Sequence, residues 1–339
     1  MPEMISVEQA RELVLSQISV LEPETVSVLD AAGRVAAADL KSDIDISPFA
    51  HSAMDGFALR ASQIASASEE ARAGETVVTA GEVINCAGAG FLAGCGIVEV
   101  PVPRRPKVAI ISIGSELVNP TEVPKAGKIR NSNSYALAAS ARAAGAVPTI
   151  LPIVEDSLES LKAAVVAATE EYDFVVTSGG ASNGDFDFIK PCVEQTGELM
   201  MTTVNMRPGK AQTFGVVNGT PVFGLPGNPA AAYCGFEMLI RPALRKMQGY
   251  TNFDRPRIRA KLSKDMTKKD PRRIYLRSTI SKNADGDYVV EPAKNQSSGL
   301  FGVLQRSNCL AIMPEGNEGR TAGSVVECIL LDVSEDVCL

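Results

Sequence analysis

The chain contains no tryptophan and a single histidine, His51, and aromatic residues make up only 5% of its 339 residues. Few platforms are therefore available on which the bases of single-stranded nucleic acid could stack. The seven cysteines (Cys86, Cys95, Cys192, Cys234, Cys309, Cys328 and Cys338) form no Cys-X-X-Cys pair. With one histidine and no paired thiols a zinc site lacks its ligands. An odd, dispersed cysteine count points to reduced thiols in a cytoplasmic compartment rather than to a disulfide framework. Any metal is expected to be a hard cation held by carboxylates and phosphate oxygens. No run approaches the ~20 apolar residues that a membrane span needs. The opening segment MPEMISVEQARELVLSQI also lacks the charged-then-apolar layout of a secretion signal. A soluble, cytoplasmic protein is the expectation. The formal net charge of −7 argues against broad binding to nucleic acid or anionic membrane, while leaving room for a local basic pocket.

What is present is a globular composition, 45% apolar and 22% charged, in a chain long enough for two or three domains. Val7, Ala10, Leu13, Val14 and Ile18 recur at helical spacing, which predicts an amphipathic helix at the start. Short apolar runs with many glycines follow, interrupted at 61–75 by a small, polar, acidic stretch that reads as a linker or an excised loop. PVPRRP at 101–106 marks a boundary. Beyond it, apolar runs at 108–113, 147–153, 173–177 and 221–225 alternate with helical segments such as 132–144 and 157–170. That alternation predicts a mostly parallel sheet covered by helices on both faces. After Gly249 the pattern becomes β-type runs separated by turns, notably Asp285-Gly286, which predicts a small antiparallel β domain. The expected division is 1–103, a mixed α+β N-terminal domain; 104–249, an α/β domain; and 250–339, a β domain.

Ligands of an open α/β sheet sit beyond the carboxyl ends of its strands, and four segments fall there. In IISIGSELV (110–118), Gly114 ends a strand, Ser115 can cap the next turn and Glu116 follows. In VVTSGGASNGDFDFIK (175–190), glycines and small polar residues around Ser178, Gly179, Gly180 and Ser182 could offer backbone amides to a phosphate or a pterin ring. Asp185 and Asp187 come directly after, and two acids beside an anion call for a bridging cation, Mg²⁺ being the natural one. In NMRPGKAQTFG (205–215), Arg207 and Lys210 flank a stiff Pro-Gly turn and suit phosphate charge. In VFGLPGNPAAAYCGFEMLIRPAL (222–244), Asn228 is placed as N-cap and Pro229 at the first helical position, an inbuilt anion site. Singly, each segment is also an ordinary turn. Together they suggest a phosphorylated ligand plus a metal.

In order along the chain, SPFAHSAMDGFALR (47–60), IISIGSEL (110–117), GKIRNSNSYAL (127–137), TSGGASNGDFDFIK (177–190), MRPGKAQTFG (206–215) and GLPGNPAAAY (224–233) resemble the signatures of the molybdopterin molybdenumtransferases, the MoeA family related to the gephyrin E domain. QSSGLFGVLQRSNCLAIMPEG (296–316) resembles the family's C-terminal β domain. The resemblance implies a MogA-like central domain and Mg²⁺-dependent insertion of molybdate into adenylylated molybdopterin, with release of AMP. By matching motif it implies Asp55, Asp156 and Asp187 as catalytic acids, and Glu116, Asp185 and Asp187 as metal ligands. It further implies contacts to the pterin nucleotide from Ser178, Gly179, Gly180, Ser182, Arg207, Lys210 and the loop Pro226, Gly227, Asn228, Pro229. A homodimer is implied, with a MogA-type adenylyltransferase and molybdoenzyme clients as partners. The chain departs from the family after Arg60, where a sizeable second domain is reduced to a few residues and Thr76 stands in place of an acid. Two other readings follow: a carrier that binds the cofactor without turnover, and an adenylyltransferase, which the additional terminal domains disfavour.

Overall fold

The computed structural model describes residues 4–46, 72–180 and 188–331. The chain folds as two units, one of Met1–Ile18, Pro106–Leu244 and Phe253–Leu339, the other of Ser19–Arg105 with Arg245–Asn252.

The first unit is built on a six-stranded sheet: β1 (Lys107–Ser112), β2 (Val147–Ile150), β3 (Phe174–Ser178), β4 (Glu198–Thr203), β5 (Ala211–Val217) and β6 (Thr220–Leu225), in the spatial order β4-β5-β6-β3-β1-β2. The four strands β6, β3, β1 and β2 run parallel. β5 is antiparallel to both β6 and β4, so the sheet ends in an antiparallel edge. The continuous apolar runs fall on strands buried on both faces: every residue of β3 and β6 is buried. Helices α1 (Asn133–Ala143), α2 (Leu158–Thr169) and α3 (Ile189–Thr196) cover the sheet. Leu161 and Val165 of α2 and Ile189 and Val193 of α3 pack on Ala109, Ile111, Val175 and Val222. Ser157 caps α2 by accepting from Ser160 N. The sequence pattern does not mark β4, an edge strand with polar residues, or β5, an interior strand whose apolar run is broken by Gln212, Thr213 and Gly215.

The helix after β6 starts at Pro229 behind the N-cap Asn228, as expected. It is not one uniform helix. Pro229–Gly235 passes into a π-helical turn, Phe236–Ile240, before Arg241–Met247. Glu237 of that turn is buried, and Arg255 donates to both its carboxylate oxygens at 2.8 and 3.1 Å.

Five strands between Arg257 and Leu330 form a closed β barrel. Arg273–Lys282 pairs antiparallel with both Tyr288–Pro292 and Cys309–Met313, which closes the ring through Arg257–Leu262 and Val325–Leu330. One pair, Arg257–Leu262 with Tyr288–Pro292, is parallel. The Asp285-Gly286 turn occurs where the sequence put it. Asn283 Oδ1 accepts from the amides of Asp285 and Asp287, and Gly286 takes φ +85°. Leu262, Ile280, Val290, Ala311 and Val326 fill the barrel. The short strand Met206–Arg207 pairs with the first residues of Arg273–Lys282, which ties the Arg207–Lys210 turn of the α/β domain to the barrel.

In the second unit Pro23–Ser27 pairs antiparallel with Glu99–Pro103. Cys86–Gly94, read from the sequence only as an apolar, glycine-bearing run, is a helix capped by Asn85, whose side chain accepts from Gly88 N. Val28, Leu40, Ile84, Leu92 and Val100 form its core. Among the described residues no helix is long and apolar enough to cross a membrane, and the six described cysteines are free thiols.

Candidate functional site

Three structural features assemble at the carboxyl ends of the parallel strands. The first joins the segments that leave β1 and β2. Ser115 N donates to Asp156 Oδ2 at 2.8 Å, and Asp156 N donates back to Ser115 Oγ at 3.4 Å. Lys128 Nζ donates to Ser115 O. Asp156 is thus engaged as a latch, whereas Glu116, next to it, is exposed with its carboxylate folded back over Gly114.

The second feature is the turn after β3. A single amide nitrogen, Asn133 Nδ2 at the start of α1, donates to Ser178 Oγ and to Gly227 O, each at 2.8 Å. It ties the Ser178-Gly179-Gly180 turn to the Leu225–Pro229 loop. Asn133 Oδ1 is buried with no partner among the described residues. Gly179 and Gly180 have φ of +95° and +63°. A side chain on Gly179 would overlap the Ile113 carbonyl oxygen, so both backbone conformation and space demand glycine there. The Gly179 amide is already spent on Leu225 O at 3.1 Å, so it is not one of the free amides that the sequence suggested for a ligand.

The third feature is a cavity of about 780 Å³ between the Arg207–Ala211 turn, the Pro226–Asn228 loop and the barrel. Five cations line it: Arg207, Lys210, Lys269, Arg272 and Arg277. Asn228 lines it as well; although it occupies the N-cap position, its side chain makes no capping bond. Arg277 is 2% exposed. Among the described residues its Nε has no hydrogen-bond partner, Nη2 reaches only Ser297 O at 3.3 Å, and it forms no salt bridge. Burial lowers its affinity for a proton below the usual arginine value. Its backbone is held independently: Gln296 Oε1 accepts from Arg277 N at 3.1 Å and Gln296 Nε2 donates to Arg277 O at 2.9 Å. Such a group is a donor set in want of an acceptor, since buried guanidinium groups are normally paired.

Of the residues singled out from the sequence, Arg207, Lys210, Pro226 and Asn228 line this cavity, Ser178 and Gly227 are joined through Asn133, and Gly179 lies against Gly227. Gly180 continues the β3 turn, its carbonyl accepting from Phe188 N at 2.8 Å, and Pro229 opens the helix. Glu116 and Asp156 are not among the cavity's lining residues. Asp55, Ser182, Asp185 and Asp187 lie outside the described residues. Sequence reasoning missed Lys269, Arg272, Arg277 and Asn133. The run KKDPRR is visibly basic, but nothing along the chain indicates that the barrel would bring it against the Arg207–Lys210 turn.

Comparison with known proteins gives these features a context. Residues 5–72 match the MoeA N-terminal region (domain I and II), 109–246 a probable molybdopterin binding domain, and 259–331 the MoeA C-terminal region (domain IV). The chain is 37% identical over 265 residues to a molybdopterin molybdenumtransferase of Staphylococcus aureus (strain COL), covering 78% of this chain and 63% of the relative. It is 35% identical over 272 residues to one of Bacillus subtilis (strain 168), covering 79% and 62%. The alignments thus take in less than two thirds of either relative's length. The structure of a molybdopterin biosynthesis MoeA protein from Pyrococcus horikosii superposes with a TM-score of 0.80 at 26% identity, covering 97% of this chain and 99% of that one. Three domain matches in family order, on a fold shared along nearly the whole chain, place it in the MoeA family, with a MogA-like central domain and a C-terminal barrel.

Proposed function

We propose that this chain is a molybdopterin molybdenumtransferase, which inserts molybdate into adenylylated molybdopterin and releases AMP. The observation that carries the reading is Arg277, a buried cation without a counter-charge among the described residues, on the wall of a cavity that gathers four further cations. Molybdate is a tetrahedral dianion that only accepts hydrogen bonds. The guanidinium groups of Arg272 and Arg277 and the ammonium groups of Lys210 and Lys269 offer it only donors. At about 780 Å³ the cavity is far larger than one such anion and of the size that holds a small organic ligand. Pterin and oxyanion can therefore sit together there.

Glu116, exposed after the end of β1, offers a hard cation one carboxylate ligand. Glu116, exposed and adjacent to the latch, would hold Mg²⁺ together with Asp185 and Asp187, whose part rests on the sequence motif. Bound there, Mg²⁺ would neutralise charge on the phosphate linkage as AMP departs. Asp156, engaged by Ser115, positions the Glu116 segment. Asn133 holds the β3 turn and the Pro226–Asn228 loop in one register, so that ligand contacts made by either are made in concert. Positioning and charge neutralisation are the main contributions a protein can make to such chemistry. Asp55 is proposed as the acid nearest the molybdate by motif. The working form is proposed to be a homodimer supplied by an adenylyltransferase and emptied by molybdoenzymes.

The test is to incubate the protein with adenylylated molybdopterin, Mg²⁺ and molybdate, and to follow AMP together with reconstitution of an apo-molybdoenzyme. Both products are expected, and both should fall away in Arg277→Met. Tight binding of molybdate and pterin nucleotide without AMP would identify a carrier instead. Sedimentation showing only monomer at micromolar concentration would remove the dimer.

A further inference from the structure

The cavity's cations are of two kinds. Lys210, Lys269 and Arg277 form no salt bridge with a described residue, whereas Arg207 and Arg272 share one acid, Asp270. Asp270 Oδ1 accepts from Arg272 N at 3.0 Å and from Arg272 Nε at 2.9 Å. Its Oδ2 accepts from Arg272 Nη2 and, at 3.2 Å, from Arg207 Nη1. The fork on Arg272 is bidentate, the arrangement that fixes a guanidinium plane most firmly. Asp270 is not on the wall of the cavity itself; it lines a second hollow together with Arg207, Lys210, Lys269 and Arg272, which also line the cavity, and it is the sole acid among the described residues lining either.

We propose that Asp270 is the internal counter-charge of this cavity, a positioning and specificity-determining carboxylate that presents Arg207 and Arg272 and limits how tightly a multiply charged oxyanion is held. The proposal rests on the reading of the cavity as the oxyanion site. Uncompensated, five cations in a half-enclosed space would retain a dianion and slow the exchange on which turnover depends. One fixed negative charge reduces that attraction while leaving buried Arg277 free to recognise the ligand. The hydrogen bonds from Arg272, ahead of the charges of Arg272 and Arg207, hold the Asp270 carboxyl well below the usual carboxylate range. The counter-charge is therefore permanent at any working pH. Repulsion between the Asp270 carboxylate and an anionic ligand scales with ligand charge, so removing that carboxylate favours dianions over monoanions.

Titration calorimetry with molybdate, a dianion, and perrhenate, a tetrahedral monoanion, tests this on the full chain. Asp270→Asn is expected to bind perrhenate roughly threefold and molybdate roughly tenfold more tightly than the parent, from relief of Coulomb repulsion at a water-like dielectric. Added salt should erode both gains, and Asp270→Glu should restore the parent's ratio of the two affinities. Unchanged affinities in Asp270→Asn, or equal weakening for both anions, would overturn the proposal and leave Asp270 as a loop anchor. Arg277→Met is the control for the underlying reading. If neither anion binds the parent, or Arg277→Met leaves their binding unweakened, the cavity is not the oxyanion site and the proposal falls with it. If Arg277→Met weakens binding at least roughly tenfold while Asp270→Asn changes nothing, only the counter-charge idea fails.

Discussion

Replacing Arg277 by methionine should separate stability from binding, because the side chain makes so little use of its charge within the fold. The residue is 2% exposed, its Nε has no partner among the described residues, and a 3.3 Å bond from Nη2 to Ser297 O is the side chain's hydrogen bond to a described residue. Leaving a polar group buried and unsatisfied costs about 1–3 kcal/mol, and an apolar side chain of similar length relieves that cost without opening a large void. The backbone at 277 stays pinned by Gln296 whatever the side chain. Arg277→Met is therefore expected to raise stability by about 1–2 kcal/mol, which for a unit of this size is a rise in melting temperature of roughly 2–6 °C. Oxyanion affinity should move the other way. A hydrogen bond to a charged group is worth about 1.5–3 kcal/mol, so molybdate should bind roughly ten- to hundredfold more weakly. Thermal melts and urea titrations read the first effect and calorimetry the second. A variant less stable than the parent by more than about 1 kcal/mol would mean that the guanidinium supports the fold, and unaltered molybdate affinity would mean that it does not touch the ligand. Either result refutes the reasoning.

Gly179→Ala forces a side chain into φ +95° and against the Ile113 carbonyl; a loss of about 1–3 kcal/mol in urea unfolding is expected, and a neutral result would show that the turn is not constrained. Asn133→Asp keeps the shape of the side chain but replaces the shared donor with an acceptor facing Gly227 O. Destabilisation of about 1–3 kcal/mol with impaired AMP release should follow, whereas Asn133→Ala should cost less stability. Asp270 offers a pH signature. Its folded pKa is depressed, chiefly by hydrogen bonds from Arg272, so its stabilising contribution is complete above the unfolded value of about 3.9 and is lost progressively as pH falls below it. The stability difference between the parent and Asp270→Asn should accordingly be constant from neutrality to about pH 5 and shrink only below that. A difference that already declines between pH 7 and 5 would point to another group.

The architecture of the α/β domain was readable because its signals are local. β1, β3 and β6 are buried on both faces and so appear as unbroken apolar runs, while α1 and α2 alternate with them at the expected lengths. The same locality explains the misses. β4 is an edge strand with polar residues, β5 is interior but broken by Gln212 and Thr213, and Cys86–Gly94 is too rich in glycine and alanine to display a helical stripe. In the candidate site, Lys210, Gly179 and Asn228 could be found because tight turns and helix starts restrict residue type within a few positions.

By itself, then, the sequence determined the order of domains, the strand-end loops and the presence of both acids and bases among them, since each depends on neighbours along the chain. Only the tertiary structure decided which charges share a space. Arg207 and Arg277 stand far apart in the chain, and they line one cavity because Met206–Arg207 adds a strand to Arg273–Lys282. That pairing is made by backbone hydrogen bonds, which carry no side-chain signature to be read in advance. The absence of a counter-charge for Arg277 among the described residues is likewise a property of three-dimensional packing, where burial removes water and the described neighbours supply no carboxylate in its place.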